Sequence, residues 1–477
     1  MNFRVRWLYP TAFVCLLLSG VAGLVYQVVW ARYLALFLGH TSYAVVAVLV
    51  AFMGGLALGN AWLGRYADRM ERPLALYAWL EIGIAAYALA FPYYFELCRT
   101  AYVALGRGAV PGSPWLLASK FGFSFAAILI PTAMMGGTLP VLTRLVTRSL
   151  GELRARVAGL YFVNSAGAVI GVIVADFWWV PSWGLESTVM GGAALNAVVG
   201  GIALLANGML EESRVEAGTG KGVPARPGSG TEGAPESGGD GEVYTASELR
   251  LAVIAAGVSG FVAMLYEVVW TRLLGLALGS STHAFSIMLV TFITGIAAGA
   301  WWVGRWRGLR RTFDAFGWAE LALGLTLLGS MFFYHLLPYG FVRLGSMVAR
   351  SPGNHALYQG VQFLLCFSVM FVPALCLGMT LPLASRVATS ELARTGRSVG
   401  LVFSVNTLGT VLGAALSGLV LLPALGLARS LALGVGLNLA IAVAVLLRRR
   451  TGAARGVAWA SPGLALGLVV LAGGTLS

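Results

Sequence analysis

Charged side chains inside long apolar runs are the groups in this chain with the most chemical potential. Arg32, Glu81 and Asp176 lie in such runs in the first part of the chain, and Glu267, Arg272 and Glu320 in the second. A charge in a nonpolar surround is costly, so it pairs, lines a polar path, or binds an ion or substrate. Glu267 stands between Tyr266 and, three residues on, Trp270. A carboxylate with aromatic faces beside it suits an organic cation, by charge and by cation–π attraction. Bonding to Arg272 or to backbone is the other use of Glu267. The cysteines Cys15, Cys98, Cys366 and Cys376 form no CxxC pair and no His/Cys cluster. They predict no metal site, no disulfide framework and no cofactor.

What must position these groups follows from composition. Of 477 residues, 58% are hydrophobic and only 11% charged, with a mean hydropathy of +0.82. Soluble domains carry about 25% charged residues, so a water-soluble globular enzyme is excluded. The expected fold class is an all-α polytopic membrane protein. Glycine is abundant, at 63 residues, which suits close helix contact in lipid. The net charge of +13 would suggest nucleic acid in a soluble protein. Here it must first be tested against loop topology.

The chain is duplicated. Ser19–Ala44 matches Ser259–Ala284 at an offset of 240, with Tyr26, Trp30 and Arg32 recurring as Tyr266, Trp270 and Arg272. Trp79 and Glu81 recur as Trp318 and Glu320, and Asn164 and Asn196 as Asn406 and Asn438. The recurrence also rejects the N-terminal run as a signal peptide, since the same stretch lies deep in the chain. Each copy holds six apolar segments of spanning length: near 9–37, 42–64, 75–97, 118–143, 157–180 and 187–209, then 250–278, 283–304, 315–338, 358–385, 398–422 and 428–447. Residues 451–477 hold a weaker thirteenth. The expected domains are a first repeat over 1–210, a Gly/Ser/Pro-rich cytoplasmic linker over 211–248, and a second repeat over 249–450. Six crossings per copy make the repeats parallel, as in two-halved transporters. Gly238-Gly239-Asp240-Gly241 in the linker lacks the strand and helix of a nucleotide loop.

Basic residues set the orientation. With the N-terminus inside, 24 Arg and Lys fall on inner ends, inner loops and the linker, against six outside. This predicts a cytoplasmic N-terminus. It also explains the basic excess without nucleic acid.

Repeat position pairs Arg32 with Glu81 and Arg272 with Glu320, either as register-fixing ion pairs or as substrate contacts. Asp176 corresponds to Gly418, and Glu267 to Gln27, so neither acid is duplicated. Glu267, Tyr266, Trp270, Glu81, Glu320 and Asp176 are the candidate substrate-binding residues. Asn164 and Asn406 predict interhelical hydrogen bonds or a polar path. Four GxxxG pairs, at Gly55, Gly167, Gly295 and Gly409, predict helix contacts. The twin TLP motifs, with Pro131, Pro140, Pro373 and Pro382, predict kinked or interrupted helices, which can mark a transporter site or be repaired by neighbours.

Gly64 to Arg72, GRYADRMER, resembles the inner-loop motif of major facilitator transporters, with Glu71 where that motif usually has glycine. The Ser259–Ser286 block, its copy at Ser19 and the two TLP segments resemble the membrane half of bacterial spermidine-synthase-like membrane proteins. That resemblance implies a major-facilitator-like module of a bacterial inner membrane, which anchors a polyamine aminopropyltransferase domain or subunit, or moves a polyamine-like metabolite. The family's catalytic domain follows its membrane region, so no catalytic residue carries over to this chain. A major-facilitator-like transporter of an unrelated small molecule, and an active synthase of which this is the membrane part, are the alternatives.

Overall fold

A computed structural model describes residues 3–38, 41–67, 72–107, 113–146, 150–219, 244–278, 282–306, 311–334, 336–347, 355–388 and 395–448. The predicted thirteenth segment and the middle of the predicted linker, including Gly238–Gly241, lie outside these residues. The described residues are almost wholly helical. The first copy comprises α1 (Phe3–Leu38), α2 (Thr41–Ala67), α3 (Pro73–Gly106), α4 (Pro114–Val146), α5 (Leu150–Val174) and α6 (Val180–Thr219). The second comprises α7 (Ala246–Ala277), α8 (Thr282–Arg305), α9 (Thr312–Tyr334), the short α10 (Leu336–Met347), α11 (His355–Ala388), α12 (Thr395–Leu416) and α13 (Leu422–Arg448). Both ends of the predicted linker are helical. α6 runs on to Thr219, and α7 is capped at Thr245, whose side chain and backbone exchange hydrogen bonds with Glu248. That capping box satisfies donors that a helix start otherwise leaves open.

Among the described residues ten stretches are long and apolar enough to cross a membrane. Phe162–Glu211 and Leu401–Arg448 are 50 and 48 residues long. At 1.5 Å per residue each would reach about 70 Å or more, over twice a hydrocarbon core of ~30 Å. Each must therefore cross twice, which restores six crossings per copy. The turn-back is built alike in both. A π-helical turn (Ala175–Trp179, Ser417–Leu421) precedes a glycine with positive φ, Gly184 at 80° and Gly426 at 76°. No atom lies within 4 Å of a Cβ added at either position. The backbone angle, not space, requires glycine there.

The TLP prolines do not interrupt their helices, contrary to one of the two readings above. Pro131 and Pro140 lie inside α4, and Pro373 and Pro382 inside α11. Proline removes the bond to the carbonyl four residues back. For Pro131 that carbonyl is Ala127, and the Tyr87 hydroxyl donates to it at 2.9 Å. A neighbouring helix thus repairs the break.

Helix pairing repeats between the copies. α1 packs on α5 and α6, α2 on α4, and α3 on α4 and α6; α7 packs on α12 and α13, α8 on α11, and α9 on α11 and α13. The GxxxG glycines sit on these contacts. A Cβ added at Gly55 or Gly59 would strike Thr132 or Ala133 of α4, and one at Gly167 or Gly171 would strike Leu17 or Val21 of α1. Gly295 and Gly299 meet α11, and Gly409 and Gly413 meet α7, in the same way.

The halves meet through α5 with α8 and α2 with α12. One hydrophobic cluster draws on both halves, including Leu34, Val46, Leu49, Trp270, Leu274 and Phe285. These residues lie toward the ends of the helices where α1 and α7 finish. At the opposite end, where the arginines gather, each half keeps its own cluster. The first contains Leu16, Tyr77, Leu142 and Val199; the second contains Val303, Phe316, Leu383 and Val445. The hydrophobic core is thus shared between the halves toward the arginine-poor end and separate in each half at the arginine-rich end.

Candidate functional site

Each half buries a glutamate at the same place, on α3 or α9. Glu81 and Glu320 are both 0% exposed. Around Glu81 the donors converge. Ser19 of α1 donates to Oε1 at 2.7 Å, and Asn196 Nδ2 of α6 donates to Oε2 at 2.5 Å. The Tyr26 hydroxyl donates to Asn196 Oδ1 at 2.9 Å. Tyr26 reaches Asn196 because its ring lies against Gly192, where a Cβ would come within 2.8 Å of it. Trp30 stacks on Tyr26 at 5.3 Å.

The second copy keeps the residues and changes the bonds. Asn438 Nδ2 donates to the Tyr266 hydroxyl at 2.7 Å, leaving Oδ1 unpartnered. Ser259 Oγ bonds Thr380 Oγ1 at 2.9 Å. Trp270 Nε1 donates to the Tyr334 hydroxyl at 2.7 Å. Among the described residues no side chain makes a hydrogen bond of normal geometry to either Glu320 carboxyl oxygen, although Ser259 stands beside them. Glu267 is 2% exposed, and its counterpart Gln27 is 3% exposed with Nε2 unpartnered.

The third cluster joins the halves. Asp176, in the π-helical turn after α5, is 0% exposed; Arg32 of α1 forms an ion pair with its Oδ1. Its Oδ2 lies 2.6 Å from Nδ1 of His283, at the start of α8 in the other half. Phe177 stacks on the His283 ring at 5.3 Å. Nearby, Val46 of α2 packs against Gly418, with Val46 Cβ 2.9 Å from where a Gly418 Cβ would stand. This cluster lies toward the arginine-poor end, where the halves share one hydrophobic core.

The structure corrects the ion pairs expected from repeat position. Arg32 pairs with Asp176, not Glu81. Glu81 is level with Ser19, and Arg32 lies thirteen residues further along α1, about 20 Å away at 1.5 Å per residue. The same interval separates Ser259 from Arg272, so Arg272 does not meet Glu320. Arg272 instead lines a cavity of about 480 Å³ with Val45, Val46, Thr271 and Gly418. Asn406 donates to the Ala256 carbonyl of α7 at 2.9 Å, and Asn164 lies against Gly20 of α1. Both positions are helix contacts. Among the substrate candidates, Tyr266, Trp270, Glu81 and Asp176 already bond to protein groups. Sequence reasoning missed His283, which stands where the first copy has Tyr43. It also gave no site role to Ser19, Ser259, Asn196 or Asn438, although the two asparagines and the two serine-led blocks were visible as repeats. Among the described residues no group of three or more His, Cys, Asp or Glu is placed to hold a metal.

No protein-family profile matches the chain, and no curated protein matches it. Solved structures do. The nucleoside transporter NupG aligns over 92% of this chain and 99% of its own, with a TM-score of 0.56 and 13% identity. A bacterial homologue of the iron transporter ferroportin, in its inward-facing state, aligns over 94% and 99%, with a TM-score of 0.54 and 14% identity. The human organic anion transporter MFSD10 aligns over 93% and 100%, with a TM-score of 0.52 and 14% identity. At such identities the likeness is one of fold. The chain is a polytopic all-α membrane protein with the major-facilitator fold.

Proposed function

We propose that this chain is a secondary transporter of a small solute, working by rocking of its two halves. One observation carries the reading. Asp176 is held by Arg32 in its own half and reaches His283 in the other, at the end where the two cores have merged. A polar contact between the halves where they share a core, with separate cores at the opposite end, is what a gate between parallel repeats requires. In this reading the arginine-rich end faces the cytoplasm of a bacterial inner membrane, and the end at which the two cores are separate is the one open to the cell interior.

A polyamine-like cargo, with a synthase-like domain or subunit as partner, is the second reading. Glu267 favours it, as a carboxyl 2% exposed on α7 next to aromatic side chains. The transporter of an unrelated solute has the broader support, because the solved structures it resembles carry nucleosides, iron and organic anions by their names, and most of the candidate cation contacts bond to protein groups.

The Val46–Gly418 contact gives the test. A Val46→Cys, Gly418→Cys protein, with the buried native cysteines changed to serine, should oxidise in high yield. The Cβ separation there is 2.9 Å, shorter than the about 3.8 Å a disulfide needs, so the two helices must part by roughly 1 Å as the bond forms. In proteoliposomes assayed with radiolabelled spermidine, a nucleoside and an organic anion, oxidation should stop the flux and reductant should restore it. Flux that continues at the same rate through the oxidised protein would overturn the reading.

A further inference from the structure

The two copies differ in how they treat the arginine near the end of their first helix. In the first copy Arg32 of α1 pairs with Asp176, and the pair is closed in: the Asp176 side chain is 0% exposed and that of Arg32 18%. In the second copy Arg272 stands at the position of Arg32, and Gly418 at the position of Asp176. The backbone turn is repeated. Gly418 is second in the π-helical turn Ser417–Leu421, as Asp176 is second in Ala175–Trp179. Duplication has thus kept the guanidinium and dropped the carboxylate. Arg272 is exposed, and it lines the cavity of about 480 Å³ together with Gly418.

The walls of this cavity define what it can hold. Its volume falls in the range of small-molecule pockets, about 300–1,000 Å³. Among the described residues that line it none is acidic, and the polar side chains are Thr271 and Arg272. Thr271 donates its hydroxyl hydrogen to the Glu267 carbonyl at 2.8 Å, so it offers the cavity only lone pairs. Val45, Val268, Leu276, Leu422 and Leu427 make the rest of the wall apolar. The guanidinium is therefore the charged group of an otherwise hydrocarbon-lined space. It carries five N–H donors in a fork that matches a carboxylate. Arg272 has contacts of its own within the protein, and five donors let an anion be added to them.

We propose that this cavity is a binding site for an organic anion made of one carboxylate and an apolar body. The carboxylate meets Arg272 as that of Asp176 meets Arg32, by a charge-assisted hydrogen bond. The body lies along the valine and leucine side chains, where burial of its apolar surface adds affinity. α2 of the first half and α7, the π-helical turn and α13 of the second supply the walls, so the bound anion touches both halves. A dissolved carboxylate and a fatty acid from the bilayer share this chemistry. The site goes beyond the transporter reading and stands without it.

Equilibrium binding of radiolabelled octanoate and palmitate to the whole chain in phosphatidylcholine nanodiscs tests this, with empty nanodiscs as the blank. Octanoate represents a dissolved source and palmitate the bilayer. At least one should bind saturably, and the one that does names the source. Octylamine, with the same body and the opposite charge, should not compete. Arg272→Gln should weaken binding about tenfold or more, as loss of a hydrogen bond to a charged group does. A second variant returns the missing carboxylate to the protein. A Cβ on Gly418 would strike Val46, so Gly418→Asp is combined with Val46→Ser, the residue at the matching position of the other copy, Ser286. The Val46→Ser, Gly418→Asp protein should lose the anion, because its own aspartate takes Arg272, while Val46→Ser alone should keep it. Failure of both anions to bind saturably, competition by octylamine, or affinity unchanged in Arg272→Gln or in the double variant overturns the site.

Discussion

Asp176→Ala should give the largest loss of stability of any single change at the arginine-poor end. The carboxylate is fully buried and holds two cationic or polar groups, Arg32 from its own half and His283 from the other. Removing it leaves the Arg32 guanidinium, only 18% exposed, without its counter-ion. Deleting one partner of a buried ion pair costs about 3–5 kcal/mol. The partial exposure of Arg32 places the expectation near the lower end, at about 3 kcal/mol. Thermal unfolding in detergent checks it. Asp176→Asn keeps the shape but removes the charge, and should cost less. Combining Asp176→Ala with Arg32→Leu should recover part of the loss, because the stranded charge goes too. A fall of less than about 1 kcal/mol for Asp176→Ala would mean the contact is as weak as an exposed pair.

The second large effect lies in the packing of α2 on α4 and, in the second copy, of α8 on α11. A Cβ at Gly59 would stand 1.8 Å from the Ala133 carbonyl oxygen, and one at Gly299 would stand 2.0 Å from that of Leu375. Backbone atoms cannot rotate away as side chains can, so the helices must part. Gly59→Val and Gly299→Val should each cost about 3 kcal/mol or more, at or beyond the upper range of overpacking. Gly201 is the control, since no atom lies within 4 Å of a Cβ placed there. Gly201→Ala should be neutral or stabilising by up to ~1 kcal/mol, as alanine is the better helix former. Thermal unfolding and yield of folded protein after membrane extraction read both. Equal behaviour at Gly59 and Gly201 would contradict the close helix contact.

The fold was legible because the duplication and the spanning lengths are properties of the chain itself. Even the GxxxG contacts followed from spacing. The site was half legible. Buried charges announced themselves by residue type, so Glu81, Glu320, Asp176 and Arg32 were all in view. Their partners depended on height along the helices, which repeat position ignores. Counting thirteen residues from Ser19 to Arg32 would have separated Arg32 from Glu81 had the level of Glu81 been known. His283 was hidden because the pairing partner lies in the other half, and no local pattern marks a contact between halves.

Distances between paired spin labels test the central claim, that the halves rock about a gate at the arginine-poor end, most directly. Leu36 and Leu276 are exposed at that end of α1 and α7, at 76% and 63%, and Trp62 and Trp302 are exposed at the other end of α2 and α8. In the unmodified background the Leu36–Leu276 pair should be near and narrowly distributed, and the Trp62–Trp302 pair far. With Asp176→Ala a second population should appear in which the first distance grows and the second shrinks. Two distances that stay fixed, or that change in the same direction, would contradict the account.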